Sequence, residues 1–393
     1  MFSNRISDVP KSFIREILKV SADPSIISFA GGLPNRDLFP MENIKKATSR
    51  VFDIAGPDAL QYSNSEGYKG LREQISKRYR NFYSLDISVD NILITNGSQQ
   101  GLDLLGKVFI NEGDSVVIEE PGYLGAIQAF GAYKANFLPV TVFVDGMDIP
   151  KLESALENNN PKLIYTVPNF QNPSGITYTN ENRGKVAEVL KDHSIYLVED
   201  NPYAELRFSG TSKKSFMEFI PEQTILLGTV SKTIVPSFRL GWIVAPDNVM
   251  EKLLIAKQAA DLHTNYFCQR IVDQFLNDYS LDDHIEKIKA LYFSKKQKMI
   301  SAIKENFPKE IDFTDPEGGM FLWVTLPEGF SSMDLFDKAI KKKVAFVPGD
   351  PFYTNNTQKK GCINTFRLNY TNSDDETIAK GIKLLAETIK EML

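Results

Sequence analysis

The chain of 393 residues exceeds what one small core needs and predicts two domains, or one large domain with an appendage. Its 42% hydrophobic and 24% charged residues are ordinary for a soluble globular protein, and a net charge of −5 leaves no electrostatic footprint for nucleic acid. Two cysteines, Cys268 and Cys362, make no disulfide framework or CxxC zinc site, and His193, His263 and His284 form no HExxH, so no metal is expected. No apolar run approaches the ~18 residues of a membrane span.

The N-terminal stretch MFSNRISDVPKSFIREILKV lacks the apolar centre of a signal peptide, and a reducing cytoplasm is the expected compartment. Within it, Arg15 lies in KSFIREILKVS, an amphipathic helix-like stretch with Phe13, Ile14, Ile17 and Leu18 available for packing. Read alone, Arg15 is a surface residue of that helix. Further on the periods alternate. NILITNG (91–97) reads as a strand, then GLDLLGKVFI carries helical spacing; SVVIEEPG (115–122) is a strand and LGAIQAFGAY is helix-like. PKLIYTVPN (161–169), SIYLVEDNP (194–202) and TILLGTV (224–230) are short apolar runs, with the helical ENRGKVAEVLKDH between the first two. Strands alternating with helices predict an α/β domain with a mostly parallel sheet, apolar because both faces are covered.

From about residue 247 two long helical stretches follow, the second running without Gly or Pro until Pro308. Then come MFLWVTLP (320–327), the helix-like MDLFDKAIKKK, VAFVPG (344–349), INTFRLNY (363–370) and a terminal helix. That mixture predicts a second, smaller α+β domain. The triplet Lys341, Lys342, Lys343 reads as a solvated helix face.

Ligands of parallel α/β sheets bind beyond the carboxyl ends of the strands. Asn96-Gly97-Ser98-Gln99-Gln100 follows the first strand and opens a helix, and Asn169 to Gly175 follows IYTVP. Asp200 ends IYLVE with Tyr203 three residues on, and ILLG leads to Thr229, Ser231 and Lys232. Each has a plain structural reading: a helix cap at Asn96 or Ser98, a turn at NPSG, a solvated loop lysine. Taken together they read differently. A helix N-terminus fronted by Gly-Ser is a ready phosphate site, and a carboxylate, a tyrosine, Lys232 and Arg239 beside it suggest a phosphorylated organic cofactor.

This ordered set resembles the fold-type I, pyridoxal 5′-phosphate (PLP) dependent aminotransferases of class I/II, and among them the 2-aminoadipate and kynurenine aminotransferase branch. The resemblance runs from SFAGGLPNRDLFP (28–40) through LQYSNSEGYKGLR (60–72), TNGSQQGLDLL (95–105), PNFQNPSG (168–175), EDNPY (199–203), GTVSKT (228–233) and FRLGW (238–242) to FRLNY (366–370). It implies a large PLP-binding domain over 41–285, with a mostly parallel mixed sheet, and a small C-terminal domain over 286–393. The first forty residues become an arm or helix associated with the small domain and the substrate pocket.

The resemblance also implies roles. Lys232 becomes the Schiff-base lysine and proton carrier of a ping-pong transamination from an L-amino acid to a 2-oxo acid such as 2-oxoglutarate. Asp200 pairs with the pyridine nitrogen, Tyr203 and Asn172 meet the phenolic oxygen, and Tyr123 stacks on the ring. Ser98, Gln99, Thr229, Ser231 and Arg239 hold the phosphate. Tyr62 reaches it from the other subunit of a homodimer with shared sites. Arg367 binds the substrate α-carboxylate, Gly32 lines the substrate end, and Arg15 meets the side-chain carboxylate of acidic donors. A nearby Arg239 and partial burial are expected to lower the pKa of the Lys232 amine.

Two other readings stay open on these residues. A PLP-dependent lyase or decarboxylase shares the fold and the lysine. Aminotransferase-like domains also form the effector-binding half of transcription regulators; those place a winged-helix domain first, for which the start of SFAGGLP at residue 28 and the acidic charge leave no room.

Overall fold

The computed structural model describes residues 2–7, 17, 23–354 and 362–393. Its main sheet has eight strands: β2 (Ile92–Thr95), β3 (Ser115–Glu120), β4 (Asn136–Phe143), β5 (Gly146–Met147), β6 (Leu163–Thr166), β7 (Tyr196–Asp200), β8 (Thr224–Thr229) and β9 (Gly241–Val244). They lie in the order β2-β9-β8-β7-β6-β3-β4-β5, preceded in the chain by the short β1 (Ile27–Ser28). The pairs β8/β7, β7/β6, β6/β3 and β3/β4 are parallel, while β9 runs antiparallel to both neighbours and β5 to β4. β2, β6 and β8 are buried at every residue. Helices on both faces explain why these runs are apolar without alternation.

The helix Ser98–Phe109 packs directly on the sheet, where a Cβ at Gly101 would lie 3.1 Å from Leu227 Cδ2. β4 escaped the sequence reading because Pro139 and partial exposure along the strand break the apolar pattern. Pro139 nevertheless pairs in register with Ile118.

The smaller sheet joins β10 (Asp312–Phe313), β11 (Phe321–Thr325), β14 (Thr365–Asn369) and β13 (Val347–Pro348) in that order, antiparallel throughout. The run VAFVPG divides at Phe346. Its first half, β12 (Val344–Ala345), pairs with β1 instead, and its second half is β13. Phe29 N–H donates to Ala345 O at 2.8 Å, and Asn369 N–H donates to Phe29 O at 2.9 Å. The segment 29–32 is thereby stitched to the small sheet and carried to the ends of the large one.

The helix Leu281–Asn306 links the two regions. Ser280 caps it by accepting from Asp283 N–H, with Asp282 and Asp283 in its first turn and Lys304 in its last. It packs on the C-terminal helix Asp375–Lys390. One hydrophobic core runs through both sheets, joining Leu104, Tyr165, Val324 and Ile382. Among the described residues no helix is long and apolar enough to cross a membrane, and no cluster of His, Cys, Asp and Glu could hold a metal ion.

Candidate active site

The carboxyl ends of β3, β6, β7 and β8 open on one cleft of about 370 Å³. Ser98, Gln99, Tyr123, Asn172, Asp200, Tyr203, Thr229, Ser231, Lys232, Arg239, Gly32 and Arg367 all line it. Twelve residues spread over more than three hundred positions of sequence thus meet in one place.

Lys232 follows β8 in the turn to β9. Its ammonium donates to Gly32 O at 2.8 Å. Burial lowers its pKa to about 8, helped by the cations of Arg367 and then Arg239. The sequence expectation for this pKa named Arg239 and burial; Arg367, expected there only at the substrate α-carboxylate, proves the stronger of the two cations acting on the amine.

Asp200 ends β7 and is 2% exposed. Its Oδ2 accepts from Tyr165 Oη at 2.7 Å, while Oδ1, equally buried, has no hydrogen-bond partner among the described residues. Burial raises its pKa to about 7; the Tyr165 bond opposes that rise and the buried Glu119 adds to it. An orphaned carboxylate oxygen at the floor of a cleft fits a protonated ring nitrogen.

Another part of the lining gathers groups that suit an anion. Gly97, at φ +73°, lets Arg239 approach so closely that a Cβ there would lie 2.5 Å from the guanidinium Nη2. A Cβ at Gly241 would lie 2.6 Å from Ser98 N, so both glycines keep the mouth of the helix Ser98–Phe109 open. The first-turn amides of Ser98 and Gln99 have no intrahelical acceptor. Thr229 Oγ1 lies 2.9 Å from Ser231 Oγ and accepts Ser231 N–H at 3.1 Å, which sets both hydroxyls at the end of β8. Arg239 is exposed and pairs with no carboxylate among the described residues.

Arg367 is 3% exposed on β14. It donates to Asn172 Oδ1 and to Ala30 O, each at 2.7 Å, and lies 4.2 Å from the Phe321 ring centroid. Its Nε is unsatisfied, no described carboxylate pairs with it, and burial lowers its pKa to about 10. A buried guanidinium without a counter-ion is costly unless an anion arrives. Tyr203 packs edge-on against Phe321 and hydrogen-bonds Asn172, and burial raises its hydroxyl pKa above the usual range. Burial, followed by the charge of Asp200, pushes Tyr123 up to about 12.

Two expected residues stand apart. Tyr62 is 80% exposed, with its ring edge-on to His263 at 5.8 Å, and does not line the cleft of its own protomer. Arg15 lies outside the described residues. Conversely, Tyr165, Val167, Pro202 and Phe321 belong to the site and were not singled out from sequence. For Tyr165 a signal existed, a phenol hydroxyl inside the buried strand LIYT. For Val167 and Phe321, apolar residues beside apolar strands, there was none.

The family model for aminotransferase class I and II matches residues 25–385. The aromatic-amino-acid aminotransferase 1 of Thermococcus litoralis is 42% identical over 99% of this chain and 94% of its own length. The structure of Pyrococcus horikoshii kynurenine aminotransferase, solved with PMP, superposes with a TM-score of 0.95 at 41% identity, covering 100% of this chain and 98% of that one. The α-aminoadipate aminotransferase of Thermus thermophilus, solved with N-(5′-phosphopyridoxyl)-L-leucine, gives a TM-score of 0.91 at 38% identity over 100% of this chain and 97% of that one. A cleft with an orphan carboxylate oxygen, a lysine of lowered pKa and an open anion cup agrees with these likenesses, and the chain belongs to the class I and II aminotransferases, as a PLP-dependent transaminase of fold type I.

Proposed function

We propose that this enzyme moves the amino group of aromatic, aliphatic, 2-aminoadipate or glutamate donors to a 2-oxo acid such as 2-oxoglutarate, working as a homodimer with shared sites. The observation that carries the reading is the Lys232 amine, with a pKa of about 8, in one cleft with a buried cation that has no described counter-ion and a buried orphan carboxylate oxygen.

PLP, when bound, supplies an electron-accepting ring that stabilises negative charge at the donor's Cα. The chain's own residues do the rest. Asp200 Oδ1 would accept a hydrogen bond from the ring N–H and so keep the proton on the nitrogen, a charge-assisted bond in a dry site. The Ser98 and Gln99 amides, the Thr229 and Ser231 hydroxyls and the Arg239 fork take the phosphate. Helix-dipole stabilisation is worth only ~0.3–1 kcal/mol, so the hydrogen bonds and Arg239 supply most of the grip. Tyr203 and Asn172 would offer hydrogen bonds to the ring's phenolic oxygen, and Tyr123 would stack on the ring. Arg367 receives the α-carboxylate in its planar fork, with Phe321 and Asn172 fixing its orientation. Lys232 Nζ, released from Gly32 O, would take the proton from the donor's Cα and deliver it to C4′ of the cofactor, two bonds away.

Support for the shared site comes from exposure. Tyr62, Leu60 at 67% and Leu262 at 56% leave apolar surface uncovered in the single protomer. The free thiols of Cys268 and Cys362 agree with a cytoplasmic setting. Arg15 is assigned to the side chains of acidic donors. An amino-donor screen against 2-oxoglutarate tests the reading: 2-oxo acid should form in step with glutamate. Carbon dioxide or ammonia in its place would mean a decarboxylase or lyase. Replacing Arg15 with alanine should lower kcat/KM for glutamate and 2-aminoadipate by roughly tenfold or more and leave leucine little changed, the scale of one unpaired charge.

A further inference from the structure

Behind the anion cup lies an ion pair, buried at its lysine and partly exposed at its aspartate, with no part in the chemistry described above. Lys257, on the helix Asp247–Asp261, is 0% exposed. Its ammonium lies 2.6 Å from Asp261 Oδ1 and 2.8 Å from Oδ2, and donates to Gln100 Oε1 and Thr264 Oγ1, each at 2.9 Å. The contacts then converge on the turn that opens the cup. Gln100 Oε1 also accepts Asn96 N–H at 2.8 Å, and Gln100 Nε2 donates to Asp261 Oδ2 at 2.8 Å. Asn96 Nδ2 donates to that same carboxylate oxygen at 2.6 Å. Both ends of the turn Asn96–Gln100, which carries Gly97, Ser98 and Gln99, are therefore tied to one ion pair. A fourth contact, from Thr264 Oγ1 to Ile94 O at 3.2 Å, holds the strand leading into the turn.

Neither Lys257 nor Asp261 lines the cleft, and the pair is neutral as a unit. Its influence on a bound anion must pass through geometry rather than through net charge. Burying the lysine of such a pair is weak evidence for stability, since an apolar residue of similar volume serves packing at least as well. A network of this kind can instead select one conformation. The conformation at stake is a demanding one: Gly97 is left-handed, and Arg239 rests where its side chain would be. If the turn shifts, the amides of Ser98 and Gln99 and the seat of Arg239 shift together.

We propose that Lys257 and Asp261 are positioning residues which, through Gln100, hold the Asn96–Ser98 turn in the geometry that receives the cofactor phosphate. The inference rests on the phosphate role assigned above to Ser98, Gln99 and Arg239. Gln100→Leu leaves the ion pair and the Asn96 Nδ2 bond to Asp261 in place and removes the links that run through the Gln100 amide to Asn96 N–H, Lys257 and Asp261. Lys257→Met removes the ammonium and keeps the chain length.

The apoenzymes are titrated with PLP and with pyridoxal, which lacks the phosphate, following the absorbance of the bound ring, and the phosphate is observed by phosphorus NMR. The dissociation constant for PLP should rise roughly tenfold or more in Gln100→Leu, the scale of one lost charge-assisted hydrogen bond, while that for pyridoxal stays within about threefold. The bound phosphate resonance should move toward that of free PLP, and Lys257→Met should follow the same pattern. Equal losses for the two ligands, or an unchanged PLP constant in Gln100→Leu, would overturn the proposal. A wild-type protein that binds PLP no better than pyridoxal would instead refute the phosphate cup itself.

Discussion

Asp200→Asn should stabilise the apoenzyme and disable the holoenzyme, two effects of opposite sign from one buried carboxylate. In the fold its pKa stands at about 7 against an ordinary 3.8. At about 1.4 kcal/mol per unit, that difference amounts to about 4 kcal/mol as an upper bound. The sign follows from proton binding. Between about pH 4 and pH 7 the folded chain holds a proton that the unfolded chain has released, so this group's contribution to stability falls as pH rises through that window. Above it the folded chain carries an ionised carboxylate with one oxygen unpartnered, and the penalty is complete. Asparagine keeps an acceptor for Tyr165 Oη and has no charge to bury. Urea denaturation of the two apoenzymes should therefore diverge with pH. Near pH 8 the variant should be the more stable by about 1–4 kcal/mol, and near pH 4 the two should nearly coincide. With PLP the order reverses, with poorer cofactor retention and turnover lower by roughly 100-fold or more, the scale of a lost preorganised electrostatic partner. A stability difference that does not change with pH, or a variant less stable near pH 8, would refute the reasoning.

Other expectations follow from the same geometry. In the apoenzyme Lys232 should react as a free amine with a midpoint near pH 8, below the ~10.4 of an ordinary lysine, and peptide-resolved reductive methylation across pH measures it. A midpoint near that ordinary value would place the amine in water. Arg367→Ala leaves Asn172 Oδ1 and Ala30 O without their donor and should raise KM for every amino acid by roughly 100-fold, with a smaller fall in kcat. Unchanged KM would put the carboxylate elsewhere. Mixing Tyr62→Ala with Lys232→Ala subunits should restore about a quarter of wild-type turnover, because half of the randomly reassorted dimers carry one complete site. A fully active monomer contradicts that prediction.

The sequence made the cleft legible because chemistry at the ends of parallel strands is written locally. Asp200 ends β7, Thr229 ends β8 and Ser98 starts the helix after β2, each beside an apolar run long enough to recognise. Fold class followed from the same alternation. Less legible was anything that depends on distant parts of the chain meeting. The carbonyls of Ala30 and Gly32 reach Arg367 and Lys232 only because β1 pairs with β12 and Asn369 N–H donates to Phe29 O. The Lys257–Asp261 pair has the i,i+4 spacing common to exposed helix couples, and nothing local in the sequence marks its lysine as fully buried. β4 was hidden by Pro139, whose missing N–H argues against a strand interior. VAFVPG stands in the sequence as one undivided run, and no propensity rule marks Phe346 as the point where the chain changes sheets.

The central claim is that one lysine, Lys232, carries the chemistry of this cleft with PLP. Borohydride reduction of the PLP-loaded protein, followed by proteolysis and mass mapping, tests it most directly. The account predicts a single phosphopyridoxyl adduct on Lys232 and none in Lys232→Ala. An adduct on any other lysine, Lys257 included, or none on the wild-type chain, would contradict it.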